Sequence, residues 1–172
     1  IQNSHTITVN SNSLAGNLII ANGGKLNFTP GAKITVYGDF KVYGTAEIVE
    51  GDIDLITPGK SFVIGATGNV VWQPANNTVS GATLFINSVE YFHPSSNLTI
   101  NRWYNYSNVP LGAVVTGNFG NLTLNTLTNG LLYEWNQNNE FESHQVKGTL
   151  TIDQGWVVLD KSGTISNTYI GA

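Results

Sequence analysis

Two aspartates in one short segment are the residues of this chain best placed to exchange protons. Asp52 and Asp54 are two positions apart in a segment that alternates polar and apolar residues, so on a β-strand both carboxyl groups project from the same face. Paired carboxyl groups are the acid and base of glycoside cleavage. The alternation places Ile53 and Leu55 inside, and it therefore predicts that both carboxylates face water and take no part in catalysis.

The histidines and the remaining acidic residues predict no metal centre. His5, His93 and His144 are far apart in the sequence and share neither a metal-ligand spacing nor a Ser–His–Asp arrangement. We interpret them as isolated surface or turn residues. Calcium at Glu50 and the two aspartates would need only oxygen ligands, but the segment lacks a Gly-rich Asp repeat. We expect no metal, no cofactor and no catalytic residue.

A group of aromatic residues is the strongest candidate for contact with a glycan. Exposed aromatic rings present an apolar face on which a sugar ring can stack, and neighbouring amide and guanidinium groups can bind its hydroxyls. The alternative is that Trp103 and Phe92 fill the core of wider coils, and the sequence leaves both interpretations open. The candidate contact residues are Tyr91, Trp103, Tyr104, Tyr106 and Arg102.

The composition argues against several classes of function. Charged residues make up 10% of the 172 residues, the net charge is -4, and the 7 basic residues are scattered, so no phosphate-tracking surface is predicted. Cysteine is absent, which excludes disulfides and cysteine metal sites. No apolar run is long enough for a membrane helix. We expect no nucleic-acid partner and no membrane insertion.

A repeat of apolar pairs predicts how these residues are positioned. Apolar residues recur at a step of 22 residues, and Gly- and Asn-rich turns separate three short alternating strands in each period. Such a chain closes into coils, in which each strand stacks in parallel on its counterpart one coil away. The predicted interior ladders are Leu18, Phe40, Phe62 and Leu84 in one row, and Ile20, Val42, Ile64 and Ile86 in the other.

Two further rows extend the same pattern. Leu26 leads by the same step to Ile48, Val70 and Phe92, whereas the row from Ile34 leads to Ile56 and then fails at Thr78. Gly and Asn interrupt the chain too often for a helical periodicity to develop, so we expect almost no helix.

The predicted fold is all-β, a right-handed parallel β-helix (solenoid) with about 22–28 residues per coil and about seven coils. One domain spans residues 1–172, with regular coils at about residues 5–100. The steps then lengthen to 24 and 28 residues, which predicts longer coils with protruding loops over residues 101–172. An antiparallel β-sandwich is the alternative fold, but a sandwich does not require inward positions to recur at one step. Because the sequence starts and ends in segments with a strand-like pattern, we expect it to be a segment of a longer protein.

Four runs of the sequence share one style, in which Thr- and Asn-rich strands alternate with Gly-rich turns. They are residues 5–10, 16–20, 24–28 and 34–40. This sequence pattern resembles the β-helical repeat regions of very large secreted surface proteins of Bacteroidota. The resemblance is good over about residues 5–100 and looser beyond them. The resemblance implies export, often through the type nine secretion route, and roles in adhesion, surface filaments or gliding. It implies no catalytic residues.

These observations lead to one functional expectation and one alternative. We expect a non-enzymatic structural or adhesive segment of a secreted bacterial surface protein, located outside the cell. Its expected partners are flanking coils of a larger parent chain, other surface proteins, or surface glycans. The alternative is a glycan-binding or polysaccharide-processing β-helix, which would need a groove with at least two carboxylates on adjacent coils.

Overall fold

The computed structural model describes residues 1–73, 83–101, 118–125, 132–134, 146–154 and 156–158. Over these residues the chain is a β-solenoid of about four turns built from parallel sheets. The strand pairs of the walls are parallel throughout, as in the pairing of Thr6 with Lys25 and of Lys33 with Asp52. The solenoid prediction is therefore confirmed, and the antiparallel sandwich is excluded for this part of the chain.

Three parallel sheets form the walls of the solenoid, and the first three coils visit them in the same order. Wall A has the order β1-β4-β7-β10-β12-β13-β15, wall B β2-β5-β8 and wall C β3-β6-β9-β11, while β14 pairs with β16. The elements are β1 (Thr6–Val9), β2 (Ser13–Ala15), β3 (Leu18–Ile20), β4 (Lys25–Phe28), β5 (Lys33–Val36), β6 (Phe40–Val42), β7 (Thr45–Val49), β8 (Asp52–Leu55), β9 (Lys60–Ile64), β10 (Asn69–Gln73), α1 (Thr83–Ile86), β11 (Ser88–Phe92), β12 (Asn97–Asn101), β13 (Asn121–Asn125), β14 (Leu132–Glu134), β15 (Leu150–Gln154) and β16 (Trp156–Val158).

The strands form because their apolar residues repeat every second position. In β5, Ile34 and Val36 are buried while Lys33 and Thr35 are half-buried on the outer face. Successive side chains of a strand point to opposite faces, so this alternation gives each coil one apolar and one polar side. The apolar sides of the three walls meet in a single core.

Wall C follows the 22-residue step through three coils and then departs from it. Leu18 pairs with Phe40, and Phe40 pairs with Phe62, whose ring stacks on it with centroids 5.2 Å apart. The strand beside Phe62, however, places Glu90 opposite it.

The predicted ladder positions of Leu84 and Ile86 are therefore wrong. Both residues lie in α1, a four-residue helical turn in the segment between β10 and β11. The step across this segment is 28 residues rather than 22, because the chain between these strands is longer than in the earlier coils. Leu84 is nevertheless fully buried.

Walls A and B use steps other than 22 because the corners between strands differ in length. Only Tyr43 and Gly44 join β6 to β7, whereas residues 21–24 join β3 to β4. As a result Leu26 pairs with Ala46 and not with Ile48. In wall B, Ile34 pairs with Ile53, and Ile56 is exposed. The two additional rows predicted from the sequence are therefore wrong.

A column of glycines lines the corner that precedes wall A. Its members immediately precede β4, β7, β10 and β13, and each lies against the backbone of the coil before it. A Cβ on Gly44 would lie 2.3 Å from the carbonyl oxygen of Gly24, and one on Gly68 would lie 2.4 Å from that of Val42. Such distances are shorter than any ordinary contact, so a side chain at these glycines would force the neighbouring coils apart. The glycine column consists of Gly24, Gly44, Gly68 and Gly120, with Ser96 in the place before β12.

The corner between walls B and C is held by side chains that bind the backbone of the next coil. The backbone N–H of Asp39 donates to Asn17 Oδ1 at 2.8 Å, and the N–H of Ser61 donates to Asp39 Oδ1 at 3.0 Å. The hydrogen bond from Ser61 and the ammonium group of Lys41 lower the pKa of Asp39. Each coil thus satisfies a backbone donor of its neighbour at a point where the strands are interrupted.

Candidate functional site

The two aspartates singled out from the sequence lie on β8, which is the last strand of wall B among the described residues. In this strand register, the Cα of Asp52 lies opposite that of Lys33, and Asp54 lies opposite Thr35. Ile53 and Leu55 are fully buried in the core, which agrees with the predicted alternation.

The prediction that both carboxylates face water is wrong. Asp54 is buried, with 9% of its surface exposed, and Asp52 is half-buried. The Oδ1 atom of Asp52 is shielded from solvent and has no hydrogen-bond partner. The outer side of β8 is therefore partly shielded from solvent. Period-two alternation cannot predict this shielding, because the alternation describes one strand and not the side chains of neighbouring coils.

Lys33 distinguishes the two carboxyl groups electrostatically. Its Nζ forms an ion pair with Asp54 Oδ2, and this hydrogen bond raises the pKa of Lys33. Desolvation and the nearby charge of Asp54 raise the pKa of Asp52 to about 7, with the backbone N–H of Ile53 and the charge of Lys33 opposing the shift. At neutral pH this strand thus presents a carboxyl group that can hold a proton, beside a second carboxyl group paired with a lysine.

This arrangement has part of what acid–base chemistry requires. Two carboxyl groups whose environments differ can act as proton donor and acceptor. Both groups belong to one coil, however, and the charges that act on Asp52 are those of Asp54 and Lys33. Within the described ranges no three His, Cys, Asp or Glu side chains are gathered to hold a metal, so Glu50 does not complete a calcium site with the aspartates.

Of the predicted glycan-contact residues, Tyr91 is the one that the structure describes. Tyr91 projects from β11 with 60% of its surface exposed. Its neighbour Phe92 is half-buried and packs against Phe62 and Phe119, with ring centroids 5.2 and 5.8 Å apart. The core interpretation of Phe92 is therefore correct. The other members, Arg102, Trp103, Tyr104 and Tyr106, lie outside the described residues.

The described histidines occupy surface turns. His5 Nδ1 lies 3.0 Å from the carbonyl oxygen of Asn3, and His93 Nδ1 lies 3.0 Å from the backbone N of Ser95. Both imidazoles are exposed, and His144 lies outside the described residues.

β11 is an inverted strand, with polar side chains inside, that the sequence pattern did not predict. In β11 the polar residues Ser88 and Glu90 are buried, while Val89 and Tyr91 are exposed at 38% and 60%. Ser88 Oγ donates a hydrogen bond to Glu90 Oε1 at 2.9 Å. The alternation itself is visible in the sequence, but hydrophobicity assigns the wrong side to the core. The feature that would have indicated the inversion is the longer step between paired strands across α1, from Phe62 to Glu90.

The chain matches no family model, no curated protein and no solved structure. Among the helices of the described ranges, none has the length and apolar character needed to cross a membrane.

Proposed function

We propose that this chain is a non-enzymatic structural and adhesive segment of a secreted bacterial cell-surface protein. In this proposal the solenoid is right-handed, continues to about seven coils and acts as a stiff rod outside the cell. Its partners are flanking coils of a larger parent chain, other surface proteins and surface glycans.

The observation that carries the proposal is the open edge of the first coil. β1, β2 and β3 are each the outermost strand of their wall. Ile7 pairs with the buried residue Leu26, so it takes an inward position, yet it remains 48% exposed. Strand edges with free backbone groups recruit further strands, and stacked coils bury the apolar positions that a single coil leaves uncovered. A further parallel coil would satisfy both needs.

Association in solution tests this proposal. The backbone N–H groups of Lys25 and Thr29 donate to the carbonyl oxygens of His5 and Val9, which turns the odd-numbered residues of β1 toward β4. The N–H of Thr8 therefore points to the free edge, and Thr8→Pro removes a donor there without removing a bond to β4. We expect light scattering to show association that grows with concentration and is weakened in Thr8→Pro. A strictly monomeric wild-type chain at high concentration would contradict the proposal.

A glycan-binding or polysaccharide-processing β-helix is the second candidate. Two observations favour it: β11 turns Tyr91 outward while burying Glu90, and Asp52 and Asp54 have different environments. Exposing an aromatic residue at the expense of a buried carboxylate is the kind of local conflict that proteins tolerate at functional sites.

Substrate screening separates the two candidates. We expect no cleavage of pectic, alginate or xylan substrates by the wild-type chain. Reproducible cleavage that disappears in the Asp52→Asn/Asp54→Asn double variant would establish the enzyme instead. Glycan binding without cleavage, lost in Tyr91→Ala, would support adhesion through wall C.

A further inference from the structure

One ion pair of the solenoid joins two neighbouring coils through a buried carboxyl group. Lys33 lies on β5 and Asp54 on β8, and these strands pair in parallel in wall B. The side chain of Asp54 is 12% exposed, whereas the carboxylates that pair with Lys25 and Lys41 are 41% and 31% exposed. Of the ion pairs in the described part of the chain, the pair of Lys33 and Asp54 therefore has the carboxyl group best shielded from water.

The strand register places two aspartates beside this one lysine. The Cα of Lys33 lies opposite that of Asp52, but its ammonium group contacts Asp54 Oδ2, two residues further along β8. Residues two positions apart on a strand project from the same face, roughly 7 Å from each other along the chain. The side chain of Lys33 therefore crosses diagonally from the level of Asp52 to that of Asp54, and its nitrogen ends against the carboxyl group.

An amine and a carboxyl group held in contact can condense to an amide. The amine of a lysine is a nucleophile once it has lost a proton. The hydrogen bond to Asp54 and the charges of both carboxyl groups raise the pKa of Lys33 against the effect of desolvation, so this proton leaves by transfer within the cluster rather than to solvent. Well-oriented groups react as if present at about 10⁵–10⁸ M, which favours the amide over the hydrolysis that prevails in free solution.

Asp52 is placed to transfer protons during such a condensation. Its carboxyl group is half-buried, and its Oδ1 atom is shielded and has no hydrogen-bond partner. Desolvation and the charge of Asp54 raise the pKa of Asp52 to about 7. At neutral pH the group can thus hold a proton, give it to an oxygen of Asp54 and accept another from the nitrogen of Lys33.

We propose that Lys33 and Asp54 form an isopeptide cross-link between adjacent coils, and that Asp52 promotes its formation. The bond forms between Nζ of Lys33 and Cγ of Asp54, and one Cγ–O bond of Asp54 breaks. One proton stays on the nitrogen, and the two others of the ammonium group leave with the oxygen as water. Asp52 ends with the proton count it had at the start, and no oxidant, reductant or metal is consumed.

The reaction occurs once in each chain and is a maturation step without turnover, so it does not depend on the adhesive role proposed above. The side chain of Lys33 is 40% exposed, which gives the released water a way out. In a chain without cysteine, this bond takes the place of a disulfide, because it closes residues 33–54 into a loop that persists in the unfolded state.

Mass spectrometry of the wild-type chain tests the cross-link directly. We expect an intact mass that is lower than the sequence mass by one water molecule. Trypsin should fail to cleave after Lys33 and should release residues 26–41 joined to residues 42–60, instead of three separate peptides. The full sequence mass, or a water loss confined to a single peptide as in a succinimide, would overturn the proposal.

Two variants show whether the loss of water belongs to this pair. Lys33→Arg keeps the positive charge but has no amine that can form the amide, so it should retain the full sequence mass. Glu47→Gln removes the carboxylate of the exposed ion pair with Lys25 and is the matched control, which should still lose one water molecule. Water loss that persists in Lys33→Arg would assign it to another site and overturn the cross-link.

The part of Asp52 is tested by the rate at which the bond forms. The linked fraction is followed by mass spectrometry from the start of cell-free synthesis, when every chain is still unlinked. We expect Asp52→Asn to form the bond at least about a hundredfold more slowly. Asp52→Glu keeps a carboxyl group and should restore at least about a tenth of the wild-type rate. Wild-type speed in Asp52→Asn, or equal slowness in both variants, would overturn the part assigned to Asp52.

Discussion

The first three coils and the coil that follows them obey different rules. In the first region, residues 6–64, the inward positions of wall C are apolar and follow one step, from Leu18 to Phe40 to Phe62. In the second region, residues 69–101, a helical turn lies beside β8 and the inward positions of β11 include Ser88 and Glu90. The comparison shows that a strict repeat secures a uniform apolar core, while an insertion permits polar and titratable groups inside the solenoid.

The largest effect should come from the centre of the regular core. Phe62→Ala removes a fully buried ring that stacks on Phe40 and meets Phe85 and Phe92 edge to face. We expect a loss of about 3–5 kcal/mol in the free energy of unfolding, measured in denaturant. Val63→Ala, on the outer side of the same strand, is the control and should cost about 1 kcal/mol or less. Equal costs would show that wall C does not face the core as described.

The glycine column should be the next most sensitive feature. Gly44→Ala would bring a methyl group within 2.3 Å of the carbonyl oxygen of Gly24. We expect a loss of about 1–3 kcal/mol, because the backbone of two coils must move apart. Gly16→Ala is the matched control, since nothing lies within 4 Å of its Cβ position. Thermal melts in which the two variants are equally stable would contradict the close approach of the coils.

Stability should depend on pH through Asp52, which lies in β8 near the end of the first region. The pKa of Asp52 is raised to about 7 in the folded chain, so the folded state binds this proton more tightly than the unfolded state. Its stabilising effect is complete below about pH 4 and is lost as the pH rises to about 7. We expect urea unfolding to show a decrease of about 1–2 kcal/mol over this interval, allowing for partial solvent screening.

Asp52→Asn provides the comparison for this pH effect. The amide cannot ionise, so the decrease between about pH 4 and pH 7 should largely disappear. The same slope in both chains would assign the pH dependence to other groups.

The smallest effect should come from the inverted strand. Tyr91→Ala removes a side chain that is 60% exposed, so the free energy of unfolding should change by about 0.5 kcal/mol or less. If β11 had its apolar side in the core, the same substitution would cost several times as much. Denaturant melts of this single variant therefore decide which side of β11 faces inward.

Much of the architecture could be predicted from local sequence, and the register could not. The Gly-rich turns predicted between strands are present at two corners, where Gly31 and Gly59 have φ angles of 79° and 77°, which favour glycine. The pairing of Leu26 with Ala46 could not be predicted from one fixed step, because corner lengths vary from coil to coil. The predicted ladder position of Leu84 is wrong for the same reason, because it falls in the longest step of wall C.

The candidate site shows the same division. The alternation around Ile53 correctly predicted that Asp52 and Asp54 share the outer side of β8. It could not predict that Asp54 is buried there against Lys33, because alternation within one strand says nothing about side chains of the neighbouring coil. Nor could spacing predict that Lys33 binds Asp54 although its Cα lies opposite Asp52.

The sequence by itself determined the period-two strands, the turn residues and the stacking of parallel coils, since these depend on side-chain direction and backbone preferences within a few residues. Only the tertiary structure decided which residues share a ladder, which side of β11 is inside and how strongly Asp52 holds its proton. Those properties depend on the length of each corner, which sets the register of a strand on its neighbour, and on burial by distant segments.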